Sequence, residues 1–214
     1  MIKSIDKTKC NNKITNNDIN EYLENTISSL KPVEKPICII NVGGPGSGKT
    51  YVSKLYIKNI LKKNIKKFCI INPDDVLSKY FNNNSNCYAI DNYPHKVIND
   101  LFDIAVKNNY NILYDTTGLN TKDIKSKIKS LKQKKYTIIV CVCLIDDISI
   151  ALKRVEERGK ITGRFIDRKY FYKRYNDFPK ILNNFYFNQI YKTIDEIIIY
   201  NTSGVKPKIQ ERYN

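Results

Sequence analysis

The chain has 214 residues, 42% of them hydrophobic, and 37 Lys and Arg against 21 Asp and Glu give it a formal net charge of +16. That length and composition support one packed α/β domain and exclude a disordered or fibrous chain. The polar N-terminus lacks an apolar leader, and no apolar segment approaches the ~20 residues that span a bilayer, which predicts a soluble, cytoplasmic protein with no membrane partner. Cys10, Cys38, Cys69, Cys87, Cys141 and Cys143 form no C-x-x-C pair, and four of them lie in apolar runs, which fits a reducing compartment and argues against zinc. The positive charge suits phosphorylated small molecules or nucleic acid. Its lysines are spread through a chain also rich in Asn, Ile and Tyr, as AT-rich coding produces, and they gather into no basic arm.

Residues 1–36 read as an N-terminal helical extension, with Ile19, Tyr22, Leu23, Ile27 and Leu30 at helical spacing before Pro32 and Pro36. Residues 37–206 then alternate between strand-like and helix-like segments. The spacing predicts a strand over 37–42, a helix from Lys49 to about Lys63, a strand over 67–72 and a short helix after Pro73. A polar, mobile loop over 82–92 and a helix over 94–107 come next, then a strand over 110–115, a helix over 121–134, a strand over 136–145 and a helix over 147–158. Past Gly163 a helical pattern runs to about Tyr191 with an interruption near Pro179, and a strand over 194–200 precedes a polar tail at 207–214. Five apolar β-runs separated by helices predict a three-layer α/β fold with a five-stranded parallel sheet buried on both faces. Ligands of such sheets bind at the carboxyl ends of the strands, here just after Val42, Asn72, Tyr114 and Tyr200.

One of these strand ends carries the most specific pattern in the chain. Gly43-Gly44-Pro45-Gly46-Ser47-Gly48-Lys49-Thr50 satisfies G-x-x-x-x-G-K-[ST] directly behind an apolar strand and ahead of a helix. In that context successive N–H groups and the helix N-terminus converge on phosphate, Lys49 supplies a charge for the β- and γ-oxygens, and the Thr50 hydroxyl ligates Mg²⁺. The pattern predicts a nucleoside triphosphate site, with ATP and Mg²⁺ as cofactors.

The other strand ends supply candidates for chemistry. Asp74, after the second strand, is positioned to accept the proton of an acceptor hydroxyl, with Asp75 as the neighbouring competitor and helix capping as the plain alternative. Asp115, followed by Thr116, ends the third strand, where it can hold Mg²⁺ through water, orient the acceptor, or simply form a turn. Arg154, Arg158 and Arg164, with Arg168 and Arg174 beyond, concentrate guanidinium groups after the fourth strand. Two glycines, Gly159 and Gly163, suggest a flexible stretch bearing Arg164, so that arginines close over a transferring phosphoryl group. The single histidine, His95, and Tyr93 contact substrate only if their helix borders the acceptor pocket. Asn201, after the last strand, lies where nucleotide kinases often seat the adenine.

GGPGSGKT, the NPDD after strand two, the LYDTTG after strand three, RVEERGKITGR and the closing IYNTSG together resemble the zeta-toxin-like P-loop kinases over residues 37–204. The resemblance implies ATP- and Mg²⁺-dependent phosphorylation of a nucleotide sugar, UDP-N-acetylglucosamine in the toxins. It matches Lys49 and Thr50 to the phosphate loop, Asp74 to the general base, Asp115 to the acid after strand three, and Arg154, Arg158 and Arg164 to lid arginines. Two positions depart from the family: Asp115 stands where toxins commonly carry Glu, and Ile161-Thr162-Gly163-Arg164 replaces a double glycine. Asp115-Thr116-Thr117 also fits the DxT of polynucleotide kinases. The leading expectation is a kinase moving the γ-phosphoryl of ATP to a hydroxyl of a small molecule. A polynucleotide 5'-hydroxyl kinase and a non-catalytic NTP-binding module are the alternatives, and no motif speaks for or against an inhibitory protein partner.

Overall fold

The computed structural model describes residues 15–81, 93–163, 165–187 and 191–213. The loop expected at 82–92 therefore lies outside the described residues, as does Arg164. Helix α1 (Asn16–Ile27) starts at a capping box in which the Thr15 side chain accepts from the Asp18 N–H and the Asp18 carboxylate accepts from the Thr15 N–H. Next come β1 (Ile37–Val42), α2 (Lys49–Asn59), β2 (Phe68–Ile71), α3 (Pro73–Phe81), α4 (Tyr93–Lys107) and β3 (Asn111–Thr116). The chain continues through α5 (Thr121–Gln133), β4 (Thr137–Leu144), α6 (Ile148–Thr162), α7 (Arg168–Phe187), β5 (Glu196–Asn201) and β6 (Lys208–Tyr213).

The strands form one sheet in the order β2-β3-β1-β4-β5-β6. All neighbours are parallel except β5 and β6, which run antiparallel. The five expected strands are joined by a sixth, so the sheet is mixed. That strand falls in the stretch read as a polar tail, because Lys208-Ile209-Gln210-Glu211-Arg212-Tyr213 carries no apolar run and its side chains are mostly exposed. Main-chain pairing with β5 holds it, assisted by an ion pair from Arg212 Nε to Glu196 Oε1 at 2.5 Å. The same Glu196 accepts a 2.5 Å hydrogen bond from Tyr56 of α2, so one buried carboxylate ties the edge strand to the helix behind the phosphate loop.

Alternate residues of each strand enter different layers. Cys38, Ile40, Val42, Cys69, Ile71, Ile112, Tyr114, Ile138 and Val140 pack with α1, α4 and α5 residues in the larger core. Ile39, Leu113, Ile139, Cys141, Cys143 and Ile198 pack against Val52, Tyr56 and Ile57 of α2. Cys38, Cys69, Cys141 and Cys143 are buried free thiols within these layers. Helices α6 and α7 share a third, smaller cluster of Ala151, Val155 and Phe171, with Leu152, Ile166 and Tyr175 packed against it.

Two local expectations are corrected. The stretch between Gly159 and Gly163 is helical: Gly159 is buried inside α6, and the helix ends at Gly163, whose φ of 73° and N–H bond to the Gly159 carbonyl close the last turn. Helix α7 runs unbroken past Pro179, although an interior proline costs ~3 kcal/mol in helix propensity. Its neighbour Phe178 is buried in the larger core, which anchors the helix at that turn.

Candidate active site

Strand β1 lies between β3 and β4, the point where the chain turns from building one side of the sheet to building the other, and its carboxyl end opens into the phosphate loop. Gly48 caps α2 with a left-handed φ of 81° and Gly46 has a φ of 75°, both conformations that favour glycine. The loop is enclosed from three sides. A Cβ on Gly43 would meet Ser47 Oγ at 2.5 Å and the Cys143 carbonyl of β4 at 3.0 Å. On Gly44 it would meet the Tyr175 ring of α7 at 2.7 Å, and on Gly46 it would collide with the Ala151 carbonyl of α6.

Inside this enclosure Lys49 Nζ donates to the Gly43 and Gly44 carbonyls at 2.8 and 2.9 Å. Asp115 projects from β3 into the layer that holds α2, opposite Asn41 in the β1–β3 register. Its Oδ1 accepts from Asn41 Nδ2 at 2.5 Å, and its Oδ2 accepts from the Thr50 hydroxyl at 3.4 Å. Burial pushes the Asp115 carboxyl above its ordinary value, opposed by the Lys49 charge and the Asn41 hydrogen bond. Burial likewise pulls the Lys49 ammonium below its usual value, opposed first by Asp115 and then by Asp74.

Asp74 stands in the first turn of α3, where its N–H donates to Asn72 Oδ1 at 3.0 Å. Its charge is felt at both Lys49 and Asp115. Asp75 is exposed and its charge reaches Tyr22 of α1 instead. Successive residues at a helix start diverge by about 100°, so the two carboxylates leave α3 in different directions.

The arginines have different surroundings. Arg154 on α6 donates to the main-chain carbonyls of Gly46, Thr202 and Gly204 at 3.4, 2.8 and 3.3 Å, bridging the phosphate loop to the β5–β6 connection. Arg158, one turn on, lies within electrostatic reach of Lys49. Arg168 pairs with Glu156 on the surface, and Arg174 stacks over Tyr170 with its guanidinium carbon 4.3 Å from the ring centroid. A cleft of about 340 Å³ opens beside the loop between Gly48, Tyr51, Arg154, Thr202 and Val205. Asn201 borders it indirectly: its amide donates to Asp146 and its carbonyl oxygen accepts from Ser203 N–H, fixing the turn that carries Thr202.

A model of the zeta toxin family matches residues 19–206. The chain belongs to the zeta toxin family. Among solved structures, this member is similar to a protein of the PezAT chromosomal toxin–antitoxin system of Streptococcus pneumoniae, with a TM-score of 0.68, 18% identity, and coverage of 91% of this chain and 82% of that one. It is also similar to a chain of the AvrRxo1-ORF1:AvrRxo1-ORF2 structure with ATP (TM-score 0.59, 12% identity, 89% of this chain and 60% of that one). A chain of the Pnkp1/Rnl/Hen1 RNA repair complex matches at a TM-score of 0.56 and 21% identity over 73% of this chain and 48% of that one. No curated protein sequence matches the chain. At these identities the structural likeness speaks for the fold.

Within this zeta toxin fold the donor set suits a magnesium-bound triphosphate. The Thr50 hydroxyl and the Asp115 carboxylate converge as hard oxygen donors, and Ser47 Oγ is buried inside the loop with no hydrogen-bond partner. Among the described residues no cluster of three or more His, Cys, Asp and Glu forms a self-contained metal site. Thr116 ends β3 with its hydroxyl accepting from the Gly118 N–H at 3.1 Å, and His95 is exposed on the first turn of α4. Of Tyr93 only its place as the first residue of α4 is described. Tyr175 was not legible as a site residue: it is 130 positions from the Pro45 carbonyl to which it donates at 2.8 Å. No helix among the described residues is long and apolar enough to cross a membrane.

Proposed function

We propose that this zeta toxin family member is a kinase that transfers the γ-phosphoryl group of ATP to a hydroxyl of a small molecule, a nucleotide sugar such as UDP-N-acetylglucosamine being the leading acceptor. The observation that carries the reading is the convergence of Lys49, Thr50 and Asp115 on one end of the sheet, with the Asp74 charge felt at both Lys49 and Asp115. A switch that only binds nucleotide has no use for a carboxylate so placed.

In this reading the loop from Gly43 to Thr50 binds the phosphates, and Thr50 and Asp115 hold Mg²⁺, which when bound neutralises phosphate charge. Lys49 exchanges its two carbonyl partners for phosphate oxygens. Asp74 orients the acceptor hydroxyl and takes its proton. Arg158 supplies positive charge to the transferring group, while Arg154 holds the loop against the cleft of Thr202 and Val205, where the base is seated. Arg164, Thr116, Tyr93, His95 and Asn201 remain proposed contacts to nucleotide or acceptor. A protein antitoxin is the partner class that the PezAT likeness supports.

The polynucleotide 5'-hydroxyl kinase is the second reading, favoured by the +16 charge and the likeness to a chain of an RNA repair complex. Incubation with γ-labelled ATP and Mg²⁺ plus either UDP-N-acetylglucosamine or a 5'-hydroxyl oligonucleotide separates the two, because one acceptor gains label. Label on neither, with slow ATP hydrolysis unaltered by Asp74→Asn, overturns the kinase reading.

A further inference from the structure

Helices α6 and α7 touch the phosphate loop at three consecutive residues, Gly44, Pro45 and Gly46, in contacts that no phosphate motif explains. The Tyr175 hydroxyl donates to the Pro45 carbonyl at 2.8 Å, and its ring covers Gly44 so closely that a Cβ there would sit 2.7 Å from Cζ. The Ala151 carbonyl presses on Gly46, and Arg154 donates to the Gly46 carbonyl. The ring is itself fixed, lying 4.9 Å from the fully buried Phe171 in the hairpin's own cluster. Burial pushes the Tyr175 phenol well above its ordinary value, so it stays a protonated donor across the physiological range.

We infer that Tyr175 is a positioning residue for nucleotide binding, which holds the Pro45–Gly46 peptide in the orientation that turns its N–H toward the phosphates. This inference rests on the phosphate-binding reading above. No described peptide is cis, and in a trans peptide the carbonyl and the N–H point in opposite directions. A donor that captures the Pro45 carbonyl on the α7 side therefore fixes the Gly46 N–H on the other side of the loop. The cradle is then set by the hairpin as well as by its own glycines, and movement of the arginine-bearing helices and reshaping of the loop become one event.

The test is Tyr175→Phe, which keeps the ring on Gly44 and Phe171 and removes only the hydroxyl. Loss of one neutral hydrogen bond predicts ATP binding weakened about three- to tenfold by calorimetry, a melting temperature without nucleotide lowered by only about 2–4 °C, and a KM for ATP that rises more than kcat falls. A variant that binds ATP like the wild type overturns the inference. The ring contact has its own test. Gly44→Ala weakens ATP binding in the wild-type background and costs less in Tyr175→Ala, where the obstructing ring is gone. Equal penalties in both backgrounds overturn the ring's part, and if Tyr175→Ala does not fold, Tyr175→Phe alone decides. Wild-type protein that binds no ATP removes the triphosphate reading itself, a failure distinct from an indifferent Tyr175→Phe.

Discussion

The phosphate loop and the arginine-bearing hairpin meet at the same end of the sheet, yet they are built by opposite rules. In the loop three glycines are each determined by an identifiable neighbour, β4 beside Gly43, α7 beside Gly44 and α6 beside Gly46, and Gly48 by its left-handed φ of 81°. In the hairpin four chemically identical side chains face four different environments, with Arg154 on carbonyls, Arg158 near Lys49, Arg168 on a surface glutamate and Arg174 on an aromatic ring. A binding cradle needs backbone fixed in advance, and its residue types are consequently dictated one by one. A run of arginines, by contrast, acquires its roles only from where the helices carry it.

The largest expected effect breaks the chemistry and spares the cradle. Asp74→Asn should lower kcat about 10²–10⁴-fold with ATP affinity retained, measured by label transfer and calorimetry. Retained turnover would move the base elsewhere. Gly46→Ala does the reverse: a left-handed φ of 75° and the neighbouring Ala151 carbonyl predict a loss of about 2–4 kcal/mol in stability together with ATP binding, read by denaturant unfolding.

A smaller effect sharpens the electrostatics of the loop. Burial raises the Asp115 carboxyl, so the folded chain holds that proton more tightly than the unfolded one. The resulting contribution to stability is complete below the unfolded value of about 4 and is lost as pH rises through the folded value. Urea unfolding across that range should therefore show the stability difference between wild type and Asp115→Asn moving in favour of the variant as pH increases. A flat difference would mean that the carboxylate is not desolvated. Glu196→Gln, which removes the ion pair to Arg212 and leaves an acceptor for Tyr56, should cost about 1 kcal/mol and loosen β6, visible in amide exchange of residues 208–213. At the bottom of the scale, Arg168→Ala at the exposed Glu156 pair should leave the melting temperature where it is.

The same contrast explains what could be read in advance. The five parallel strands are legible because strands buried on both faces must be apolar throughout, and the phosphate loop because its backbone conformation restricts residue type. Strand β6 is not legible, since an exposed edge strand held by main-chain pairing imposes no apolar pattern. The helix after Pro73 is legible, but which groups the Asp74 and Asp75 charges reach depends on how α3 sits against α1 and the loop. Tyr175 leaves no local trace, and Arg154 stands out only as one arginine of a run, because their partners are main-chain carbonyls far away in sequence, and a carbonyl is the one group every residue possesses.

The pairing of Asn41 with Asp115 across β1 and β3 also makes strand length decide which layer the Asp115 carboxylate enters. Side chains alternate between layers at every step, so one residue inserted or deleted between Asn111 and Asp115 would deliver the carboxylate to the hydrophobic layer under α4 and α5, and put Tyr114 or Thr116 in its place opposite Asn41. The fold would have every reason to survive such a slip in length only by bulging it out. Frame-preserving insertions and deletions in β3 should thus be far rarer among working relatives than substitutions along its length.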